Sequence, residues 1–260
     1  MNLSKILPVI LTWNEAPNIA RTLDGLRWAQ RVVVLDSGSS DDTQALAIGY
    51  PNVAWHVRAF DDHAAQCNHA LDALADAAEW VLFLDADYVV QPAMAVELAL
   101  LEPPSMVSGY RAGFRYCVAG RPLRGALYPP RIVLFRRAHG RYVQEGHAQV
   151  LQLNGAVREL TTPILHDDRK AWPRFIANQQ RYATLEAAWL RAQRWSALGW
   201  PDRLRRLLVI APWAAPLVAL ARGAVLDGGA GWRYAWERCV AEWLISRALL
   251  RQLLGVDVRQ

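Results

Sequence analysis

Val32-Val33-Val34-Leu35 runs directly into Asp36-Ser37-Gly38-Ser39-Ser40-Asp41-Asp42-Thr43, and Trp80-Val81-Leu82-Phe83-Leu84 runs directly into Asp85-Ala86-Asp87. Four or five consecutive apolar residues, mostly β-branched or aromatic and bounded by turn formers, read as strands buried on both faces of a parallel sheet. The carboxylates then emerge at strand C-terminal ends, the edge at which open α/β sheets bind ligands. An Asp-x-Asp pair placed there offers two hard oxygen donors, which suits a divalent cation carrying a diphosphate. Taken alone, the tripeptide is also a common solvated turn.

The surrounding motifs decide between those readings. Thr12-Trp13-Asn14-Glu15 with Asn18 follows the first apolar run. Leu35-Asp36-Ser37-Gly38-Ser39 with Asp41 and Thr43 follows the second. Gln66-Cys67-Asn68-His69-Ala70 falls in a helix, and Leu84-Asp85-Ala86-Asp87 closes the series. In this order they resemble the nucleotide-sugar half of the family 2 glycosyltransferases, the GT-A fold, over roughly residues 5 to 90. Further on come Tyr128-Pro129, Leu134-Phe135-Arg136-Arg137, Gly146-His147 and Leu165-His166, then Arg222-Gly223 and Leu226-Asp227-Gly228. This second set is similar to a bacterial branch that includes lipopolysaccharide-core glucosyltransferases, and the resemblance implies a membrane-attached acceptor.

The expected architecture is α/β: a mostly parallel sheet flanked by helices, with a helical C-terminal appendage at a membrane interface. Residues 1–168 are expected to form the catalytic domain, with 1–105 as the nucleotide-sugar half and 106–168 as the acceptor half, and 169–260 to form the appendage. The third strand is expected at Val53–Val57. Helices are expected at His63–Ala78, from Pro92, at Ala171–Trp195 and at Trp232–Leu254, and further strands at Gly109–Arg124 and Arg131–Phe135.

Composition bounds the function classes. The 260 residues are 53% hydrophobic and 20% charged, which excludes a disordered chain. Three cysteines without metal-ligand spacing indicate neither a disulfide framework nor a zinc site, and suit a reducing compartment. Ile6 to Leu11 is too short for the apolar core of a signal peptide. No G-x-G-x-x-G follows either strand, which excludes a Rossmann dehydrogenase, and no Gly-rich basic loop follows the first, which argues against a nucleotidyltransferase.

Charge is unevenly placed. Residues 1–160 hold 14 Lys and Arg against 16 Asp and Glu, whereas residues 161–260 hold 15 against 8 and contain eight of the twelve tryptophans. Arginine interleaved with tryptophan suits a membrane headgroup layer, and no recognition motif accompanies the charge to favour nucleic acid. Leu207 to Ala221 is fifteen uncharged residues between Arg203, Arg205 and Arg206 on one side and Arg222 on the other, broken by Pro212 and Pro216. As a helix it covers about 22 Å, short of a hydrocarbon core of roughly 30 Å. It reads as interfacial or re-entrant contact, with a buried or dimerisation helix as the alternative. The expected location is the cytoplasmic face of the bacterial inner membrane, peripheral or monotopic.

Placed around a nucleotide-diphosphate sugar, Asp36 suits the imide N–H of uracil, and Trp13 suits the face of the ring. The resemblance implies that Thr12 and Glu15 meet base or ribose, Asn68 the diphosphate region and Asp85 the ribose. Asp87 is the expected ligand of Mg²⁺ or Mn²⁺, with His166 as a second ligand. The partners implied are a UDP-sugar and a lipid-linked glycan, with an acceptor oxygen attacking the anomeric carbon directly and inverting it. The family branch usually carries a carboxylate directly after the histidine matching His147. Here Ala148 stands there, so the expected base is Glu145 or His147 itself, with Asp167 and Asp168 as alternatives. A phosphate acceptor, needing no base, is the other reading; it would make the chain a polyprenyl-phosphate glycosyltransferase. A non-catalytic sugar-nucleotide-binding protein is the third. Arg131, Arg136 and Arg137 are candidate phosphate or headgroup contacts. Donor sugar and oligomeric state stay open.

Overall fold

The computed structural model describes residues 1–75, 78–145 and 148–255. In chain order the strands and helices are β1 (Ile6–Thr12), α1 (Ile19–Asp24), β2 (Val32–Asp36), α2 (Thr43–Ile48), β3 (Val53–Val57), α3 (His63–His69), β4 (Trp80–Asp85), β5 (Tyr88–Val89) and α4 (Pro92–Leu100). There follow β6 (Val107–Ala112), β7 (Phe114–Val118), β8 (Arg121–Pro122), β9 (Arg131–Arg136), β10 (Gly140–Glu145), β11 (Ala148–Leu153), β12 (Ala156–Glu159) and β13 (Ile164–His166). The remainder is helical: α5 (Trp172–Ala192), α6 (Trp200–Arg206), α7 (Ala211–Ala221) and α8 (Gly229–Leu253).

The chain divides into two compact units. The first comprises Met1–Pro122, Tyr128–Gln144 and Gln149–Arg169. It holds a seven-stranded sheet of order β12-β6-β9-β4-β1-β2-β3. Pairings β1–β2, β2–β3, β1–β4 and β12–β6 are parallel, and β9 runs antiparallel to both β4 and β6. The expected mostly parallel α/β sheet is therefore present.

Its apolar runs are explained by the two faces they serve. Ile10, Val32, Val34, Trp80, Leu82 and Leu84 share one core cluster with Ile19 and Leu23 of α1, Ala47 of α2, and Met94 and Leu98 of α4. The alternate residues Val9, Val33, Leu35, Val81 and Phe83 join Ala64 and Cys67 of α3 on the other face. Period-two alternation places neighbours on opposite faces, and both faces are covered, so these strands stay apolar until Thr12, Asp36 and Asp85 at their ends. A second sheet, of order β5-β13-β7-β8, lies in the same unit.

Several local expectations shift. The helix from His63 ends at His69 and widens into a π-turn over Ala70–Leu74. The Asp42 side chain makes no cap hydrogen bond to α2; Asp41 does, its Oδ1 accepting the Thr43 N–H at 3.1 Å. Trp200-Pro201 opens a further helix, α6, with proline in the first turn where its missing N–H costs nothing. Over Leu207–Ala221 the helix begins only at Ala211, because Leu208 sits at φ 61°.

The second unit comprises Leu123–Leu127, Glu145–Ala148 and Lys170–Gln260. Ala187 and Leu190 of α5 pack with Leu198 and with Leu249 of α8. Arg205 of α6 grips Glu242 of α8 through two hydrogen bonds, Nε–Oε2 at 2.9 Å and Nη2–Oε1 at 2.8 Å. It also reaches Asp202 at 2.9 Å and Glu186 of α5 at 3.4 Å. Removing one member of a largely buried ion cluster strands the others, so Glu242→Ala is expected to lower stability by about 3 kcal/mol in urea unfolding. An unchanged midpoint would show the cluster to be incidental. The Leu226-Asp227-Gly228 motif also has a structural task here. Buried Asp227 accepts the Arg124 N–H at 2.7 Å, and the Tyr234 hydroxyl accepts that of Leu127 at 2.8 Å. Among the described residues no helix is long and apolar enough to cross a membrane.

Candidate active site

Register brings three motif residues to one sheet edge. Thr12 at the end of β1 lies opposite Asp36 at the end of β2, and Leu11 lies opposite Asp85 at the end of β4. The loops leaving β1 and β2 are laced together. Ser37 N–H donates to the Thr12 carbonyl at 3.0 Å, Asn14 N–H to Ser39 Oγ at 2.7 Å, Ser40 N–H to Asn14 Oδ1 at 2.7 Å and Glu15 N–H to Thr43 Oγ1 at 2.7 Å. Asn14 accepts a φ of 55° in doing so, a conformation Asn tolerates better than most residues. Asn14, Ser39 and Thr43 were read from the sequence only as parts of motifs; in the fold they join two motifs into one surface.

Asp36 is buried, and its carboxylate organises that surface. Oδ2 accepts the N–H groups of Gly38 at 2.9 Å and Ser39 at 2.7 Å, and Oδ1 accepts the Ser39 hydroxyl. A carboxylate has about four acceptor directions, so capacity remains on Oδ1. Gly38 takes φ 88° at the turn. Trp13 stands 41% exposed at the same edge. Thr12, by contrast, is buried and its hydroxyl has no protein partner. Glu15 accepts from Asn18 Nδ2 at 2.8 Å.

Two helical amides are engaged by the protein rather than exposed on a helix face. Buried Gln66 donates to Ser37 Oγ at 2.9 Å and to the Arg58 carbonyl at 3.0 Å. Asn68 pairs with the Tyr142 backbone in both directions, at 2.9 and 3.0 Å. The structure thus gives Asn68 a task in tying α3 to β10.

Asp87 is fixed from behind. Thr22 of α1 donates to the Ala86 carbonyl at 2.7 Å, and Asp167 N–H to the Asp87 carbonyl at 3.0 Å. The approach of α1 requires Gly25, where a Cβ would stand 2.4 Å from the Val90 carbonyl oxygen. Across the second sheet, His166 lies opposite Tyr88 in the β5–β13 register. Its Nε2 is 3.1 Å from Asp87 Oδ2. The rings of Tyr128, Tyr116 and Tyr88 box the imidazole at centroid distances of 4.5, 5.0 and 5.3 Å. Burial works against an imidazolium there, but the Asp87 carboxylate outweighs it and draws the pKa of His166 upward. The tyrosine box was not anticipated; its one signal in the sequence is Tyr88 directly after Asp87.

The remaining candidates separate. Arg131 opens β9 at the end of that strand nearer Asp85, since Leu82 pairs antiparallel with Leu134, and its guanidinium lies 5.1 Å from the Tyr128 ring centroid. Arg136 pairs with Glu79 at 3.0 Å and covers Trp80, and Arg137 donates to the Leu71 carbonyl at 2.9 Å. They occupy the opposite end of β9, about 17 Å away along the strand. Asp167 is buried between Arg21, Arg169 and the Gly120 N–H, and Asp168 accepts from Asn18 at 2.9 Å. Glu145 is the last residue of β10. His147 lies outside the described residues.

A model of the family "Glycosyl transferase family 2" matches residues 9–147, more than half of the chain. The chain belongs to glycosyltransferase family 2. A relative in Rhizobium meliloti (strain 1021), the lipopolysaccharide core biosynthesis glycosyltransferase LpsC, is 28% identical over 193 residues, 68% of each chain. Among solved structures, S. aureus TarS 1-349 in complex with UDP-GlcNAc is 14% identical with a TM-score of 0.46, over 98% of this chain and 93% of that one. Glucosyl-3-phosphoglycerate synthase from Mycobacterium tuberculosis, in complex with Mn²⁺, UDP and phosphoglyceric acid, is 18% identical with a TM-score of 0.45, over 69% of this chain and 76% of that one. As a family member the protein is an enzyme that transfers a sugar. The motifs at the ends of β1, β2 and β4 lie inside the matched stretch.

Proposed function

We propose that the protein is an inverting transferase that moves a hexosyl group from a UDP-sugar to a membrane-anchored glycan of the lipopolysaccharide-core type, assisted by Mg²⁺ or Mn²⁺ and working at the cytoplasmic face of the inner membrane. Residues 1–168 are the catalytic part in this reading, and 169–260 the appendage. The observation that carries it is the Asp87–His166 pair beside the strand ends bearing Asp36 and Asp85. A carboxylate oxygen and an imidazole nitrogen 3.1 Å apart form a donor set suited to these cations, Mn²⁺ above all. The ring is held in place by three tyrosines. Among the described residues no third His, Cys, Asp or Glu completes a protein cage, which suits a cation that arrives with its nucleotide.

When bound, the cation neutralises charge developing on the leaving diphosphate. Asp36 accepts the uracil imide, Trp13 covers the base, and Asp85 meets the ribose. Arg131 adds positive charge near the β4 end. Glu145 or His147 removes the acceptor proton. The acceptor class is supported by LpsC, whose name places it in lipopolysaccharide core synthesis. A second reading, a polyprenyl-phosphate acceptor, is favoured by one observation, the Ala148 that stands where the family branch usually carries a carboxylate.

Calorimetric titration with UDP, with Mn²⁺ and then with EDTA, tests the donor half. Affinity is expected to fall on metal withdrawal. Asp36→Ala is expected to weaken binding further, by about 1.5–3 kcal/mol, through loss of a charge-assisted hydrogen bond. Asp36→Asn separates recognition from scaffolding, because its amide oxygen can still accept from Gly38 and Ser39 while no carboxylate remains for the imide. Unchanged UDP affinity in both variants would reduce Asp36 to a loop residue and remove the uridine from the proposal.

A further inference from the structure

Beyond residue 170 the protein has an unusual distribution of charge and aromatic surface. Seven of the eight tryptophans there are exposed: Trp172, Trp195, Trp200, Trp213, Trp232, Trp236 and Trp243, at 39 to 70%. Residues 170–260 hold 14 Lys and Arg against six acids. Glu186, Asp227, Glu237 and Glu242 are buried, and Asp202 is paired with Arg205. The sixth, Asp257, lies outside the described residues. Most of the negative charge of this unit has thus been drawn inward, leaving arginine, tryptophan and aliphatic side chains prominent on its described surface.

On α8 these residues are ordered. Its exposed positions include Trp232, Arg233, Trp236, Trp243, Arg247, Leu250 and Arg251, continued by Leu254 at the C-cap. At about 100° per residue they fall within an arc of roughly 120° along about 33 Å of helix. Trp232, Trp236, Trp243, Leu250 and Leu254 fall on one side of that arc, and Arg233, Arg247 and Arg251 on the other. Arg247 lies 5.6 Å from the Trp243 ring centroid. The opposite positions Tyr234, Ala235, Ala241, Leu244 and Leu249 are buried, so the stripe is not spare core.

We propose that this stripe is a docking surface for an anionic phospholipid bilayer, with α8 lying parallel to the leaflet. Indole rings prefer the boundary between headgroups and acyl chains, and the arginines beside them suit lipid phosphates. The helix carries too many charges to insert across the bilayer, in keeping with the absence of any spanning helix among the described residues. A second copy is the poorer occupant. A two-fold contact sets a stripe against itself, bringing the three arginines toward their own copies. The surface deepens the membrane-anchored acceptor reading and rests on it only for the choice of a bilayer, because lipid binding is measured with neither donor nor acceptor. It adds α8 to the contact that the sequence placed at Leu207–Ala221, where Val209, Trp213 and Leu217 are also exposed.

The test is co-sedimentation of the full chain with phosphatidylcholine vesicles, with and without phosphatidylglycerol. Wild type is expected to bind the anionic vesicles, and salt to release it only in part. Replacing Arg233, Arg247 and Arg251 by Gln is expected to weaken that binding roughly five-fold for each of Arg247 and Arg251 and less for Arg233, which is paired with Glu237 at 3.0 Å, and to leave the salt-resistant part intact. The triple change W232S, W236S, W243S is expected to remove the salt-resistant part. Should that variant fold poorly, quenching of wild-type tryptophan emission by brominated lipid, reduced in W232F, W236F, W243F, reads the same insertion. Equal binding by wild type and both triple variants would overturn the proposal. So would wild type that ignores vesicles, or that forms a dimer dissolved by the tryptophan changes. Vesicle binding with no transfer to any lipid-linked glycan would instead fail only the acceptor reading.

Discussion

Asp87→Ala is expected to lower donor turnover, read as UDP release, by about 10³-fold or more while the protein stays folded. The fold should survive because the backbone around Asp87 is held independently of its side chain, by Thr22 on the Ala86 carbonyl and Asp167 on that of Asp87. Turnover should not, because the carboxylate is the proposed metal ligand, and neutralising a leaving diphosphate contributes several kcal/mol, with about 4 kcal/mol corresponding to three decades in rate. Metal-dependent strengthening of UDP binding should vanish with it. His166→Ala, which removes the second donor, should fall in the same direction. Full turnover of the Asp87 variant in EDTA would eliminate the metal from the mechanism.

Glu145→Gln is the second large effect expected, a loss of roughly 10² to 10⁴ in transfer to a hydroxyl acceptor, with donor binding little changed. The fold narrows the field of bases. Asp167 is held by Arg21, Arg169 and the Gly120 N–H, and Asp168 accepts from Asn18, so either would have to give up these contacts to act as the base. Glu145 and His147 are then the proposed bases, His147 lying outside the described residues. Glutamine keeps the shape and removes the basicity. Near-normal transfer in both Glu145→Gln and His147→Asn would reject a hydroxyl acceptor and turn the argument to an acceptor already ionised, a lipid phosphate.

The donor half was largely legible in the sequence because its signals are local. β2 and β4 fall on the two apolar runs, since strands buried on both faces leave unbroken runs; β3 falls on Val53–Val57, a half-buried strand with His56 in it. What depends on distant neighbours was not legible. Gln66 and Asn68 look like an ordinary helix face, and only the arrival of Arg58, Ser37 and Tyr142 makes them interior. Arg131, Arg136 and Arg137 look like one cluster, yet an extended strand carries them to opposite ends of the sheet. The tyrosines around His166 come from three separate segments. β12 and β13 are short, and β10 and β11 break their apolar residues with Arg, Gln and Gly, so this region reads as irregular.

The position of β1 in the sheet has a consequence for how the protein is made. It lies between β2 and β4, and its pairing with β4 joins Ile6 to Trp80, 74 residues later. At about 5–20 residues per second, a ribosome needs roughly 4–15 s to deliver that partner. For those seconds one edge of a strand that is apolar from Ile6 to Leu11 stands open in the nascent chain, the condition under which holding chaperones engage. The same topology that brings Asp85 beside the β1 loop therefore sets a minimum length of synthesis before the first half of the protein can close.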